Sequence, residues 1–254
     1  MPVKPQLDIL PDAQKELWPL LREIPQDFVL YGGTAVALRY GHRVSVDFDF
    51  FSSLKDTRII DATSNLDFIR KYAINYATPS FLTAESGSQI IYKLKMRNNK
   101  EVEITFLRDT KFIKGAVNKP SITEDNNIKI ASPLDLMATK IIALISRKSV
   151  KDFIDICTLI QNGVSLENGI AAAIALKSDR ENVLDIFHEM RNALIIPDNY
   201  KILFDNDKES PMELKDSLPA VVNTLIPALK HISLDEINRD VQLFKPLSGE
   251  AGDA

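Results

Sequence analysis

The sequence predicts an α+β half to about residue 130, followed by an all-α half. Short runs with strand-like alternation and turn residues fill the first half, as in Gln89 to Met96. After Ser132-Pro133 the apolar residues recur with the period of a helix, and this pair suits a helix N-cap and first turn. We therefore expect domains at residues 1–130 and 131–254.

The first half is expected to begin with an amphipathic helix, since apolar residues recur on one side of Pro11 to Glu23. A helix is also expected from Ile59 to Lys71. The segment from Tyr72 to Phe106 is strand-like, with a turn signal at Asn98-Asn99. The remaining strands are expected at Phe28 to Tyr31, Ser45 to Phe51 and Ile128 to Ile130.

The second half is expected to be helical almost to its end, with the second helix closed by Asn162-Gly163. The tail from Pro246 to Ala254 is expected to be frayed. The expected helices are Leu134 to Ser146, Val150 to Gln161, Ser165 to Leu176, Arg180 to Asn192, Met212 to Lys230 and Leu234 to Phe244.

Composition indicates an ordinary globular chain of 254 residues, of which 45% are apolar and 26% charged. The single cysteine, Cys157, cannot form an internal disulfide, so we expect a cytoplasmic protein. No apolar stretch is long enough for a membrane span. The net charge of −4 argues against bulk binding of nucleic acid, but a local basic groove for one RNA remains compatible with it.

The run from Tyr31 to Phe51 is the most informative part of the chain. It predicts a strand, a Gly-Gly turn, a short helix, and a second strand that carries Asp47 and Asp49. Strand alternation puts both carboxylates on one face and Val46, Phe48 and Phe50 on the other. A divalent cation such as Mg²⁺ would offset their repulsion, and glycine N–H groups at a helix N-terminus suit a phosphate.

The Gly-Gly turn followed by Asp-x-Asp resembles the nucleotidyltransferase superfamily of DNA polymerase beta. The complete motif, Gly-Gly-Thr-Ala…Gly-His-Arg-x-Ser-x-Asp-x-Asp-Phe-Phe, resembles the AbiEii/AbiGii toxin family. The resemblance implies a mixed sheet, a nucleoside triphosphate substrate, and Mg²⁺ or Mn²⁺ on Asp47 and Asp49. It also implies a nucleotide site that includes the following residues: Gly32, Gly33, Thr34, Arg43 and Ser45. Arg39 and His42 would add further positive or polar groups near the metal, and a structural role in the turn after Gly41 is the alternative for His42.

A third carboxylate on a neighbouring strand would complete such a site. In the strand that ends at Phe106, Glu101, Glu103 and Thr105 share one face. The family has an aspartate in this setting, and Glu103 is its best match here, with Glu101 as the rival. A solvated strand face is the alternative interpretation of both glutamates.

A second stretch, Ser132 to Asp155, resembles the helical signature of the same toxin family. The resemblance implies catalytic roles for Lys140 and Asp152, with Lys140 directed at the triphosphate in a cleft between the two halves. On this interpretation Lys140→Ala keeps the fold. The alternative is a salt-bridged helix pair, with Asp155 bonded to Lys151 or Arg147.

The resemblance therefore implies a toxin that transfers a nucleotide from a nucleoside triphosphate to an acceptor hydroxyl. The acceptor would be RNA, such as the 3′ end of tRNA, or a protein, and a cognate antitoxin is the expected partner. The alternative is a catalytically idle domain of the same fold that binds a nucleotide or a partner. The glutamate in place of the third aspartate supports this alternative.

Overall fold

A computed structural model describes residues 2–52, 59–77, 89–97, 99–108, 118–147, 149–177, 188–189, 191–192, 194, 218–230 and 232–244. Backbone contacts divide the chain into two compact units, Met1–Ser132 and Pro133–Ala254. The described strands lie in the first unit, and the described part of the second unit is helical. The predicted fold class, an α+β region with a mixed sheet followed by an all-α region, is confirmed.

The first unit contains four α-helices and seven strands within its described residues. The helices are α1 (Asp12–Leu17), α2 (Gly32–Tyr40), α3 (Ile59–Thr63) and α4 (Asp67–Tyr72). The strands are β1 (Phe28–Tyr31), β2 (Phe48–Ser52), β3 (Ala73–Ala77), β4 (Gln89–Lys95), β5 (Glu101–Arg108), β6 (Ser121–Ile122) and β7 (Lys129–Ile130).

Two helices predicted as single elements are each divided in the structure. The first is α-helical only to Leu17 and continues as a 3-10 helix over Trp18–Glu23, because Pro19 has no N–H for the α-helical ladder. The second is interrupted between α3 and α4. There the carboxylate of Glu23 accepts a hydrogen bond at 2.9 Å from the backbone N–H of Asp67 and thereby caps α4.

The seven strands form one mixed sheet in the order β3-β4-β5-β2-β1-β7-β6. Strand β2 lies between β5, to which it is parallel, and β1, to which it is antiparallel. Strand β1 also pairs in parallel with β7, and the other neighbouring strands are antiparallel. Strand β2 therefore lies near the middle of the sheet, where its position is fixed from both sides.

One face of the sheet carries the aromatic core of the first unit. Phe50 stacks on Phe106 at 5.6 Å between ring centroids, and Phe28 meets the same ring edge-on at 5.2 Å. Trp18 stacks on Phe48 at 6.2 Å, so the first helical segment covers this face. Residues of β2 that alternate with this set, including Asp49, consequently lie on the opposite face.

The second unit contains five described helices: α5 (Pro133–Ser146), α6 (Val150–Gln161), α7 (Leu166–Lys177), α8 (Leu218–Lys230) and α9 (Leu234–Phe244). Helices α6 and α9 have the predicted bounds. Three predicted segments lie wholly or partly outside the described residues. They are most of the helix Arg180 to Asn192, the start of the helix Met212 to Lys230, and the tail Pro246 to Ala254. No described helix is long and apolar enough to cross a membrane.

Helices α5 and α7 pack closely at Gly169. A Cβ at this position would overlap the Cγ of Met137 and lie 3.3 Å from its Cβ. We therefore expect Gly169→Ala to lower the free energy of unfolding by about 1–3 kcal/mol. Elsewhere, replacing a glycine by alanine inside a helix ordinarily stabilises the protein. Urea unfolding of the variant measures the difference. Asn168→Ala, one residue earlier in the same helix, is the control, and equal stability of the two variants would contradict the close packing.

Candidate active site

The Gly-Gly turn and Asp49 are in direct contact. The antiparallel register of β1 and β2 pairs Tyr31 with Asp49, so that the next residue, Gly32, lies beside this carboxylate. Gly32 has a φ of +73°, and a Cβ there would overlap the Oδ2 of Asp49. Glycine is required at this position both for its backbone conformation and for the close approach. The start of α2 and a half-buried carboxylate therefore form one site.

Three buried polar side chains hold the segment that leads into β2. Thr34 donates a hydrogen bond to the carbonyl of Asp47, and the Ser45 hydroxyl lies 2.7 Å from the Thr34 hydroxyl. Gln14 donates from Nε2 to the carbonyl of Val46 at 2.7 Å. The single proton of Thr34 goes to Asp47, so Ser45 is the donor in the bond between the two hydroxyls. This network fixes the backbone directly before the catalytic candidates.

The sequence analysis did not identify Gln14 as part of the site. Gln14 lies on α1, and only 5% of its surface is exposed. Its position three and four residues before the buried Leu17 and Trp18 places it on the apolar side of the helix. A lone amide on an apolar helix face is a recognisable signal, because a buried amide requires hydrogen-bond partners.

The predicted second strand is present, with Phe48 and Phe50 in the core, but its predicted start at Ser45, which put Val46 in the core and Asp47 on the strand, is wrong. The strand begins at Phe48, and the side chain of Val46 is 45% exposed. The carbonyls of Val46 and Asp47 accept hydrogen bonds from side chains, so this segment is held outside the strand ladder. Asp47 is exposed directly before β2, whereas Asp49 is half-buried within it.

The register between β2 and β5 favours Glu103 over Glu101 as the third carboxylate. Asp49 pairs with Thr105, and Phe48 pairs with Ile104. Glu103 is two residues before Thr105 on the same strand face, which is also the face that carries Asp49. Glu101 lies two residues beyond, about 6.6 Å further along the strand. Glu103 is half-buried and Glu101 is exposed.

The candidate ligands for a divalent cation are the carboxylates of Asp47 and Asp49. Within the described residues, no group of three His, Cys, Asp or Glu side chains is close enough to hold a metal ion. Mg²⁺ is usually held by one or two carboxylates together with substrate phosphates, so a complete protein cage is not required. Asp47 and Asp49, with the glycine turn at the start of α2 in contact with Asp49, fit this requirement.

The basic residues between the turn and the aspartates have structural contacts. Arg39 donates from Nε and Nη2 to the carbonyl of Ala131 at 3.1 and 2.7 Å, and this ties α2 to the end of β7. Burial lowers the pKa of the Arg39 guanidinium. Arg43, which is 9% exposed, donates to the carbonyl of Val44 at 3.1 Å. His42 is half-buried after the C-terminus of α2.

A group of four charged residues joins α5 to α6 in the second unit. Lys140 Nζ lies 2.8 Å from Asp152 Oδ1 and 2.7 Å from Asp155 Oδ2. Arg147 Nε lies 3.0 Å from Asp152 Oδ2. Both aspartate side chains are fully buried and the lysine side chain is 7% exposed, whereas 57% of Arg147 is exposed. The group is formally neutral, with two cations and two carboxylates.

This ion group changes the interpretation of Lys140. Burial tends to lower the pKa of this lysine, but Asp155 and Asp152 outweigh burial and raise it above its ordinary value. Lys140 is therefore a charged residue within a salt-bridged helix pair, which was the alternative interpretation. The expected partners of Asp155 were Lys151 or Arg147, and the structure pairs it with Lys140. A contact of Lys140 with a triphosphate stays a prediction.

A mixed sheet that presents a carboxylate against a glycine turn at a helix N-terminus is typical of the nucleotidyltransferase class. The family described as nucleotidyl transferase AbiEii toxin, of type IV toxin–antitoxin systems, matches residues 20–227. The chain belongs to this family of nucleotidyltransferase toxins. The predicted family resemblance and the predicted enzyme class are confirmed by this match.

Two known proteins are similar to this chain over more than half of its length. An uncharacterized protein of Aquifex aeolicus (strain VF5) is 30% identical over 145 residues, which are 54% of this chain and 60% of that protein. The nucleotidyltransferase toxin MenT4 from Mycobacterium tuberculosis H37Rv is 14% identical with a TM-score of 0.59, over 92% of this chain and 91% of its own. This similarity shows a shared fold.

A further solved structure is similar at a lower level. It is an antigenic nucleotidyltransferase-like protein from Paracoccidioides brasiliensis, 17% identical over 94% of this chain and 100% of its own, with a TM-score of 0.41.

The contact between Gly32 and Asp49 predicts a specific loss of stability in Gly32→Ala. The left-handed backbone would strain an alanine by about 1–2 kcal/mol, and the overlap with Asp49 would add about 1–3 kcal/mol. Gly41→Ala is a matched control, because Gly41 has a φ of +66° but its Cβ would have no neighbour closer than 3.5 Å. Urea unfolding should show the larger loss for Gly32→Ala, and equal losses would contradict the contact.

The ion group predicts that Lys140→Ala will not simply keep the fold. The substitution removes the buried cation that bridges Asp152 and Asp155, and breaking a buried ion pair in this way typically costs about 3–5 kcal/mol. Lys151→Ala, at a half-buried lysine of the same helix pair, should change the free energy of unfolding by less than about 0.5 kcal/mol. The triple variant K140M/D152N/D155N removes the unpaired charge and should recover part of the loss in urea unfolding. A fully stable Lys140→Ala would contradict this role.

Proposed function

We propose that this protein transfers a nucleotide from a nucleoside triphosphate to an acceptor hydroxyl, with Asp47 and Asp49 as the ligands of Mg²⁺ or Mn²⁺ and Glu103 as the third carboxylate of the site. The observation that carries the proposal is the contact of Gly32 with Asp49, which joins a phosphate-binding turn to a carboxylate. When bound, the cation would neutralise charge on the reacting phosphate and the leaving pyrophosphate. The chain's own residues bind the substrate and hold it in place.

In this proposal, the start of α2 binds the triphosphate. The backbone N–H groups of Gly32 and Gly33 lie at the N-terminus of a nine-residue helix, where a phosphate oxygen is favoured. Thr34 and Ser45 were predicted to contact the nucleotide. We now assign them a positioning role, because the Thr34 hydroxyl donates to the carbonyl of Asp47 and Ser45 donates to Thr34.

Glu103 has two roles in this proposal. Its position two residues from Thr105, the pairing partner of Asp49, supports the proposal that Glu103 is the third carboxylate. In its ionised form it also serves as the base that accepts the proton of the acceptor hydroxyl. A glutamate side chain is one methylene longer than the family's aspartate, so it can reach a cation from a position further back.

Lys140 and Asp152 are proposed as catalytic residues on the family motif alone. Their ion pair gives each of them a structural role within the second unit. An activity assay of their variants therefore needs a parallel measurement of stability. The triple variant described above serves this purpose, because it removes both buried carboxylates together with the buried cation.

We further propose that the chain acts in the cytoplasm as the toxin of a toxin–antitoxin pair. The family match supports this role and a cognate antitoxin as partner. The proposed acceptor is RNA, with the 3′ end of tRNA as the candidate, and a protein side chain is the second possibility. The rival proposal is a catalytically idle domain that binds a nucleotide or a partner. Two observations favour it: a glutamate stands at position 103 where the family has an aspartate, and no three-ligand group is found among the described residues.

Substitution of the carboxylates tests the proposed activity. The purified chain is incubated with each labelled nucleoside triphosphate, Mg²⁺ and total RNA or cell lysate, and the labelled product is identified. We expect Asp49→Asn and Glu103→Gln each to lower the transfer rate by about a hundredfold or more, since each removes charge that acts in the transition state.

The matched control is Glu101→Gln, which makes the same chemical change on the same strand and face. It should retain transfer and Mn²⁺ binding close to those of the unaltered protein. If Glu101→Gln fails and Glu103→Gln is active, the third carboxylate is Glu101. If the unaltered chain binds a triphosphate but labels no acceptor, the idle domain is the correct interpretation.

A further inference from the structure

The strongest local concentration of positive charge in the described sheet lies next to the candidate site. Residues 93–100 contain three lysines and one arginine and no acidic residue, in a chain whose net charge is −4. They form the end of β4 and the turn into β5, which we call the basic hairpin: Lys93, Lys95, Arg97 and Lys100. All four side chains are exposed.

The packing of β4 decides where the lysines point. Tyr92, Leu94 and Met96 are buried in the aromatic core, so Lys93 and Lys95, which alternate with them, stand on the opposite face. They are about 6.6 Å apart along the strand. Within the described residues, no ion pair involves Lys93, Lys95 or Lys100, whereas Arg97 is 3.2 Å from Glu16. The three lysines are thus available to an external anion.

The strand register brings these lysines beside the proposed carboxylates. Lys93 pairs with Glu103 and Lys95 pairs with Glu101 across β4 and β5. The sheet order β4-β5-β2-β1 then places the carboxylates between two anion-binding features. The glycine turn follows β1 on one side, and the basic hairpin lies on the other side.

We propose that the basic hairpin binds the phosphate backbone of a single-stranded RNA end, which presents its terminal hydroxyl to Glu103. This inference rests on the proposed transfer reaction. In that reaction the attacking and leaving oxygens lie roughly in line on opposite sides of the phosphorus. The pyrophosphate leaves toward the glycine turn beyond Asp49, so the attacking hydroxyl enters from the side of β5 and β4.

Charge and spacing select RNA as the occupant. A row of lysines along a strand meets regularly spaced negative charges, as single-stranded nucleic acid provides and a protein acceptor in general does not. The hairpin is also continuous with the carboxylate face, so a chain that lies along it ends at the reacting position. A free triphosphate is already accommodated by the turn on the opposite side.

Binding of RNA without any nucleotide tests the inference directly. The probe is a short, 5′-fluorescein-labelled oligoribonucleotide of mixed sequence, and the readout is fluorescence anisotropy over a range of salt concentrations. The variant K93Q/K95Q/K100Q should bind about tenfold more weakly or worse. For this variant, the plot of the logarithm of the association constant against the logarithm of the salt concentration should have a slope shallower by about 2. Each lost phosphate contact reduces the slope by about 0.7, and the variant loses three lysines.

The matched control is K4Q/K15Q/K119Q, which removes the same charge from three exposed lysines outside the hairpin. Lys15 lies on α1, whose 3-10 continuation covers the aromatic face. This variant should bind RNA as the unaltered chain does, and thermal unfolding should show that both triple variants are folded. Equal weakening in the two variants, or no weakening in either, would overturn the proposal.

The outcomes separate this inference from the proposed function. If the unaltered chain transfers labelled nucleotide to a protein and does not bind the oligoribonucleotide, the inference fails and the transferase activity stands. If RNA binding depends on the hairpin but no acceptor is labelled, the binding surface stands and the transferase activity fails. Lys95→Glu places a negative charge in the row and should weaken RNA binding more than Lys95→Gln.

Discussion

The antiparallel pairing of β1 with β2 is the constraint on which the candidate site depends. It pairs Tyr31 with Asp49, so the first glycine of the turn must lie against the Asp49 carboxylate. Any side chain at position 32 would occupy the space of that carboxylate. The pairing therefore joins the glycine turn to a metal-ligand candidate, and the parallel pairing of β2 with β5 adds Glu103 to the same face.

The two units use buried polar groups in different ways. In the first unit Gln14 and Thr34 donate to backbone carbonyls, which keeps Val46 and Asp47 out of the strand and leaves Asp47 exposed. In the second unit Lys140 pairs with two buried carboxylates. Such an ion group contributes little net stability when complete, but removing one member leaves a buried charge uncompensated. Loss of activity on substituting Lys140 is therefore ambiguous without a stability measurement.

Much of the fold could be predicted because the signals are local. The helical period after Ser132-Pro133 predicted α6 with the bounds that the structure shows. The Gly-Gly turn before Asp47 and Asp49 indicated the family to which the chain belongs. The preference for Glu103 over Glu101 rested on the match to the family motif, because strand alternation does not distinguish the two residues. Both residues share one strand face, and their distance from Asp49 depends on the register with β2, which a single strand does not encode.

The sequence by itself determined the α+β and all-α regions, the turn and the candidate carboxylates, because periodicity and backbone freedom are properties of neighbouring residues. Only the tertiary structure decided that β2 begins at Phe48 and that Lys140 joins Asp152 and Asp155. The carbonyl of Val46 is bonded to Gln14, 32 residues away in sequence, and Lys140 is bonded to Asp152, 12 residues away. Such partners are selected by packing between elements, so no local pattern identifies them.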